Sequence, residues 1–186
     1  MKNSGFKRRS YDEMLIKKAT SKAKTAAKKK VKSKDGTVLA KPKLRPIKLL
    51  KKDLYTISHD FVRERDSIPG EKKKGYCCSC GKYEEGHLFQ AGHYRTSGGN
   101  GALLRYHPQN MHGQCRDCNC SRYNQENVKV EYARFMHSKY SHAELEQMRS
   151  MKQKTINANR YFYETMIALY KEGDESEIIK FLNGYL

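Results

Sequence analysis

The sequence predicts an α+β fold in which a small β-hairpin, framed by two cysteine knuckles, is flanked by helices and preceded by a basic N-terminal arm. Three observations carry this expectation. All six cysteines fall between positions 77 and 120, in two knots separated by short strand-like pieces. Apolar residues recur at helical spacing on both sides of that window. Of the 38 Lys and Arg residues, 19 lie in residues 1–52 against only Asp12, Glu13 and Asp35, so the arm supplies nearly all of the +18 formal charge. A chain of 186 residues has room for one globular domain with an extension and excludes two large ones.

Residues 1–52 are dominated by Lys, Ala, Ser and Thr and include the run Lys28, Lys29 and Lys30. Such a segment buries too little apolar surface to offset its ordering entropy, so an arm is expected, with Tyr11 to Val31 able to become helical on an anionic partner. Pro42 and Pro46 mark a linker. From Asp53 to Asp66, Leu54, Ile57 and Phe61 share a helical face and Asp53 is placed to cap it. Pro69-Gly70 ends that helix. The hairpin is expected from strand pieces at Leu88–Tyr94 and Ala102–Tyr106 around a Gly-rich loop at 98–101. Three helices then follow, Asn127–Tyr140, Ser141–Lys152 and Thr155–Lys171, and a shorter one starts near Asp174. Ser141 and Glu144 have capping-box spacing. The face of Ile156, Tyr163, Met166, Ile167 and Tyr170 reads as core. The expected division is an arm at 1–52, a site-bearing domain at 53–171 and a short C-terminal helix at 172–186.

No run approaches the roughly 20 apolar residues of a membrane span, and no secretion signal opens the chain. A soluble protein of the reducing cytoplasm is expected, where clustered cysteines bind metal more readily than they pair as disulfides. Cys77-x-x-Cys80-Gly81 and Cys115-x-x-Cys118 supply two such knuckles. Four thiolates complete a tetrahedral Zn²⁺ shell with no open position, so this zinc is structural. Cys78 and Cys120 fall outside the spacing.

Between the knuckles the order is His93 on a strand, Asn110 five residues before Cys115, and Asn119 directly after Cys118. This resembles the HNH, or ββα-metal, nuclease motif. By that resemblance His93 is the general base, Asn110 pins the connecting loop, and Asn119 ligates a catalytic Mg²⁺ or Mn²⁺; read as a residue alone, Asn119 is a cap for the helix leaving the knuckle, a role compatible with ligation. Many HNH enzymes carry Asp immediately before the catalytic His, whereas this chain has Gly92. The second metal ligand is therefore assigned to His112 as the preferred candidate, with Asp117 behind it. Phe61 to Asp66, Ala91-Gly-His-Tyr-Arg95, Leu104-Arg-Tyr, Asn110-Met-His-Gly-Gln-Cys115 and Glu131-Tyr132 further resemble the phage NinG (Rap) recombination endonucleases. The resemblance runs from about Asp53 to Lys171. It implies cleavage of branched DNA such as D-loops and Holliday junctions, in the cytoplasm of a phage host, alongside phage or host recombination proteins.

Arg95, Arg105, Arg116 and Arg122 lie in or beside the motif and are expected to grip the scissile strand, with Lys28, Lys29 and Lys30 adding sequence-independent capture. Arg63 and Arg65 could do the same or could belong to an exposed helix of mixed charge. Two other readings stand beside the nuclease: a non-catalytic, zinc-stabilised DNA-binding protein, and an HNH nickase of another role. A homodimer would suit paired cuts across a junction, with the C-terminal aromatic face as the region to test. The remaining histidines, His59, His87, His107, His137 and His142, read as surface or packing residues.

Overall fold

A computed structural model describes residues 44–95, 101–120, 126–154 and 156–186 of the chain. Arg45–Leu186 form one compact unit. It opens with helix α1, Ile47–Arg65, which buries Leu50, Leu54, Ser58 and Val62, one residue per turn along a single stripe. The helix starts earlier than the expected boundary at Asp53. Pro46 precedes it without a side-chain cap, and Asp53, inside the helix, pairs with Arg45 at 2.7 Å instead of capping.

Strands β1 (Lys74–Tyr76) and β2 (Tyr83–Glu85) form an antiparallel hairpin. The chain between them is the first cysteine knuckle. It is closed by Gly81 N–H donating to the Cys77 carbonyl at 2.8 Å, and Gly81 takes the left-handed φ of 72° that this turn needs.

Strand β3 (Phe89–His93) is as expected, but its partner is not. It pairs antiparallel with β4, Met111–Cys115, in the register Gly92↔His112. The segment assigned to the second strand is instead a helical turn, α2 (Ala102–Arg105), followed by a 3-10 turn at Pro108–Asn110. Ala, Leu and Arg are strong helix formers, and the consecutive Leu103 and Leu104 are both fully buried, which one face of an alternating strand could not provide. Strand β4 is buried along its whole length. At its centre Gly113 lies under a ring, since a Cβ there would stand 2.2 Å from Phe89 Cζ.

A one-turn helix α3 (Arg116–Asn119) follows β4. Helix α4 (Glu126–Lys139) leads to α5 (His142–Gln153), which carries the expected capping box between Ser141 and Glu144. Helix α6 (Arg160–Glu172) begins later than the expected start at 155 because Asn159 caps it, accepting from Phe162 N–H at 3.1 Å. Asp174 caps the last helix, α7 (Glu175–Asn183).

Two apolar clusters hold these elements. Leu50 and Leu54 of α1 pack with Leu103, Phe162, Tyr163, Met166 and Tyr170 and with Ile178 and Leu182 of α7. Tyr132, Met136, Leu145, Met148 and Met151 of α4 and α5 close on Leu104. The aromatic face of α6 is thus occupied within the chain. Among the described residues no helix is long and apolar enough to cross a membrane.

A polar network joins α1 to β4. Arg65 contacts Asp66 in two places, at 2.8 and 3.0 Å, and donates to the Met111 carbonyl at 2.8 Å and to Glu175 at 3.1 Å. Asp66 also accepts from Gly113 N–H at 2.8 Å. Burial pushes the Asp66 carboxyl up, but hydrogen bonds from His112 and Arg65 outweigh it and hold the group well below the usual carboxylate range. Arg65 is therefore committed to the fold rather than offered to a ligand.

Removing Asp66 would leave Arg65 largely buried with its main counter-charge gone. An Asp66→Ala variant is expected to lose about 3 kcal/mol at neutral pH, read from urea denaturation. Because the folded-state pKa is depressed, the stabilisation exists above the ordinary carboxylate range and is lost as pH falls through the folded value. The gap between wild type and variant should close only in strong acid.

Candidate metal centre and cleft

The two knuckles meet. Cys77, Cys80, Cys115 and Cys118 bring their sulfurs within 4.8 Å of one another, and Cys80 Sγ stands 3.8 Å from Cys115 Sγ. A tetrahedron with Zn–S bonds of about 2.3 Å has edges of about 3.8 Å, so the four thiols fit a metal ion such as zinc. Burial, reinforced by the neighbouring thiols, pushes Cys118 upward; a cation in the cluster would reverse that by favouring thiolates. Cys78 and Cys120 stay outside the cluster. Cys78 packs against the α4–α5 core.

The second feature is a cleft of about 450 Å³ between the β3–β4 pair, α3 and α4, with His93, Arg95, Gln114, Asn119 and Tyr132 on its walls. His93 ends β3, and its Nε2 lies 2.9 Å from the Arg105 carbonyl oxygen. A carbonyl can only accept, so Nε2 carries the proton and Nδ1 is the basic nitrogen. Burial is the main cause that lowers His93 from its ordinary value, with Arg105 adding to it and the carbonyl bond opposing it. The ring is neutral at neutral pH.

Asn110 is fully buried away from the cleft wall. Its Oδ1 accepts from Arg95 N–H at 2.9 Å, and its Nδ2 donates to the carbonyls of Arg95 and Leu104 at 3.1 and 3.0 Å. One side chain thereby ties the exit of β3 to the turn α2 and fixes both sides of the connection that carries Arg105. Arg95 stacks on Tyr94, 5.3 Å from the ring centroid. Arg116 is exposed on α3. Arg122 and Lys28 to Lys30 lie outside the described residues.

His112 is not brought to the cleft. It is fully buried, with Nδ1 3.2 Å from Asp66 Oδ2 and Nε2 3.1 Å from the Tyr140 hydroxyl. Burial lowers it to about 4, so the ring is neutral. Arg65 Nη2 also lies 3.0 Å from Nδ1, but it donates to Asp66 and to the Met111 carbonyl; we therefore place the ring proton on Nδ1, facing the carboxylate, and Nε2 then accepts from Tyr140. Both nitrogens are spent, and the ring packs edge-on to Phe135. The alternative candidate, Asp117, is exposed and sits 3.8 Å from Lys82, beside the cysteine cluster.

Three residues absent from the sequence-based assignment line the cleft or touch its lining: Gln114 is on the wall, Gln90 bonds Asn119 and His59 neighbours His93. Gln90 and Gln114 stand opposite each other in the β3–β4 register; only the pairing of β4 reveals them, and that pairing is hidden in a strand with no alternation. The third, His59, reaches from α1 to within 5.5 Å of the His93 ring, and its Nε2 is buried without a partner among the described residues. Burial, then the proximity of His93, lowers it to about 4.

The family described as "Bacteriophage Lambda NinG protein" matches the chain over residues 3–176. No curated protein and no solved structure matches it.

Purified protein is expected to retain about one metal ion per chain, and cobalt substitution should give the absorption bands of a tetrahedral tetrathiolate site. Cys115→Ser should lose both the ion and cooperative unfolding. Metal-free protein that melts at the same temperature would refute a structural ion.

Proposed function

The chain belongs to the NinG family, and from that premise we propose that it is a phage recombination endonuclease that hydrolyses phosphodiester bonds in branched DNA such as D-loops and Holliday junctions. One observation carries the nuclease reading: His93, Arg95 and Asn119 line a single cleft at the end of an antiparallel strand pair followed by a short helix. That is the strand–strand–helix order of ββα-metal nucleases.

Hydrolysis requires a water proton to be taken while the oxygen attacks phosphorus, and the 3′ oxygen must leave. The His93 Nδ1 is the proton acceptor, held in its tautomer by the Arg105 carbonyl. Asn110 keeps that carbonyl in place through the backbone of the same connection. Arg95, Lys129 and Lys152 on the cleft wall attract the phosphate backbone. Asn119 would be a ligand to a divalent cation, Mg²⁺ or Mn²⁺, which when bound neutralises charge on the phosphate and the leaving oxygen. The basic arm adds non-specific capture.

With Mg²⁺ or Mn²⁺ present, a labelled four-way junction and a D-loop should be cut and linear duplex spared, and His93→Ala should lose at least about 10²-fold in rate. Tight binding with no cutting under either metal would instead favour a non-catalytic DNA-binding protein. The base must be neutral to act, and its pKa lies below 6.5. The rate should therefore rise with pH only on the acid side of that value and run flat through neutrality. Deleting residues 1–43, which leaves α1 whole, should weaken DNA binding and flatten its salt dependence without moving the cut site.

A further inference from the structure

Gly92 has no side chain for a reason the surrounding atoms make plain. A Cβ built there would stand 1.7 Å from Gln114 Oε1 and 3.0 Å from Asn119 Oδ1. Two carboxamide oxygens thus converge on the space that an aspartate at 92 would fill, separated by no more than the sum of those two distances. Each amide is turned by a bond on its nitrogen side. Gln114 Nε2 donates to Ser79 Oγ at 2.7 Å, and Asn119 Nδ2 donates to Gln90 Oε1 at 2.9 Å. Gln90 is itself oriented by donation from Nε2 to the His87 carbonyl at 3.2 Å. With both nitrogens committed, both oxygens face the cleft as acceptors, and a hard divalent cation is the ligand that oxygen-only donors select.

We infer that Gln114 supplies the second protein ligand of the cleft's divalent cation, beside Asn119, so that this pair of neutral amides stands where a carboxylate and an amide would otherwise be. The inference rests on the endonuclease reading for its biological use but makes a claim about cation binding that holds without DNA. The two amides bring no charge, and the carboxylate on the cleft wall, Glu126, is paired with Lys129 at 3.4 Å, so the pair lacks the charge that sets Mg²⁺ or Mn²⁺ affinity. The missing negative charge must come from the scissile phosphate, and the cation enters the cleft together with the substrate. Free protein then carries its structural ion and an unloaded cleft, and DNA completes the coordination shell.

The probe is Mn²⁺, titrated into protein whose cysteine cluster already holds zinc and followed by the loss of the free-ion electron paramagnetic resonance signal. Wild type without DNA should bind Mn²⁺ weakly. Gln114→Glu adds a carboxylate at the same place and should tighten DNA-free binding by about tenfold or more, because ligand charge tunes such sites. Asn119→Asp should do the same from the other side, which protects the test should one variant fail to fold. In the uncleaving His93→Ala background, a four-way junction should raise Mn²⁺ uptake to about one ion per chain, and Gly92→Ala, whose methyl displaces Gln114 Oε1, should abolish that gain. Mn²⁺ affinity unchanged in both charged variants would overturn the inference. Tighter Mn²⁺ binding in those variants, together with a wild-type protein that cuts no DNA, would uphold the cation site while refuting the nuclease.

Discussion

Strand β4 is the member on which everything else hangs, and it is held by one ion pair. Arg65 and Asp66, at the end of α1, reach its backbone from the same side: Asp66 accepts from Gly113 N–H and Arg65 donates to the Met111 carbonyl. The strand has β3 on one edge; on the other, Cys78 N–H donates to the Gly113 carbonyl at 2.9 Å, and without Arg65 and Asp66 the Met111 carbonyl and the Gly113 N–H would be buried unpaired. Taking such a pair out of water costs several kcal/mol. What it secures is register, because a slip of one residue would exchange His112 with Gly113 and turn Gln114, the residue β4 gives to the cleft, to the wrong face. Glu175, bonded to Arg65, extends the same tie to the last helix.

Register matters because β4 and α3 serve two sites at once. Gln114 of the cleft is the neighbour of Cys115 in the sulfur cluster, and Asn119 is the neighbour of Cys118. A metal ion closing the cluster would fix the backbone on which both amides are mounted. The cleft needs that rigidity, since a ligand out of place by a fraction of an ångström loses its geometry. The cluster would therefore serve the proposed cation site through the backbone that the two share.

Much of this was legible in the sequence where a local rule operates. The C-x-x-C spacings and the Ser141–Glu144 box are encoded within four residues, and each is found; the last helix starts near Asp174 as expected, and Asp174 caps it. Asn110 could be picked out by its place before Cys115. The misreadings come where tertiary burial overrides local pattern. Met-His-Gly-Gln-Cys shows no alternation because both faces of β4 are covered, so Ala102–Tyr106 looked the better strand. With no strand expected at 111–115, His112 reads as a candidate ligand, whereas it is a core residue between Asp66 and Tyr140. The start of α1 is hidden because its first turns carry Lys48, Lys51 and Lys52, which continue the positive charge of the arm. The role of Gln114 has no local signature; it emerges only from what lies across the sheet at Gly92.

Gly92 also constrains how such a site can change through descent. Aspartate at 92 and the present conformation of Gln114 compete for the same volume, since a Cβ at 92 would meet Gln114 Oε1. Gaining an aspartate there requires the Gln114 side chain to swing away and give up its bond to Ser79. Related sequences should accordingly change at 92 and 114 together.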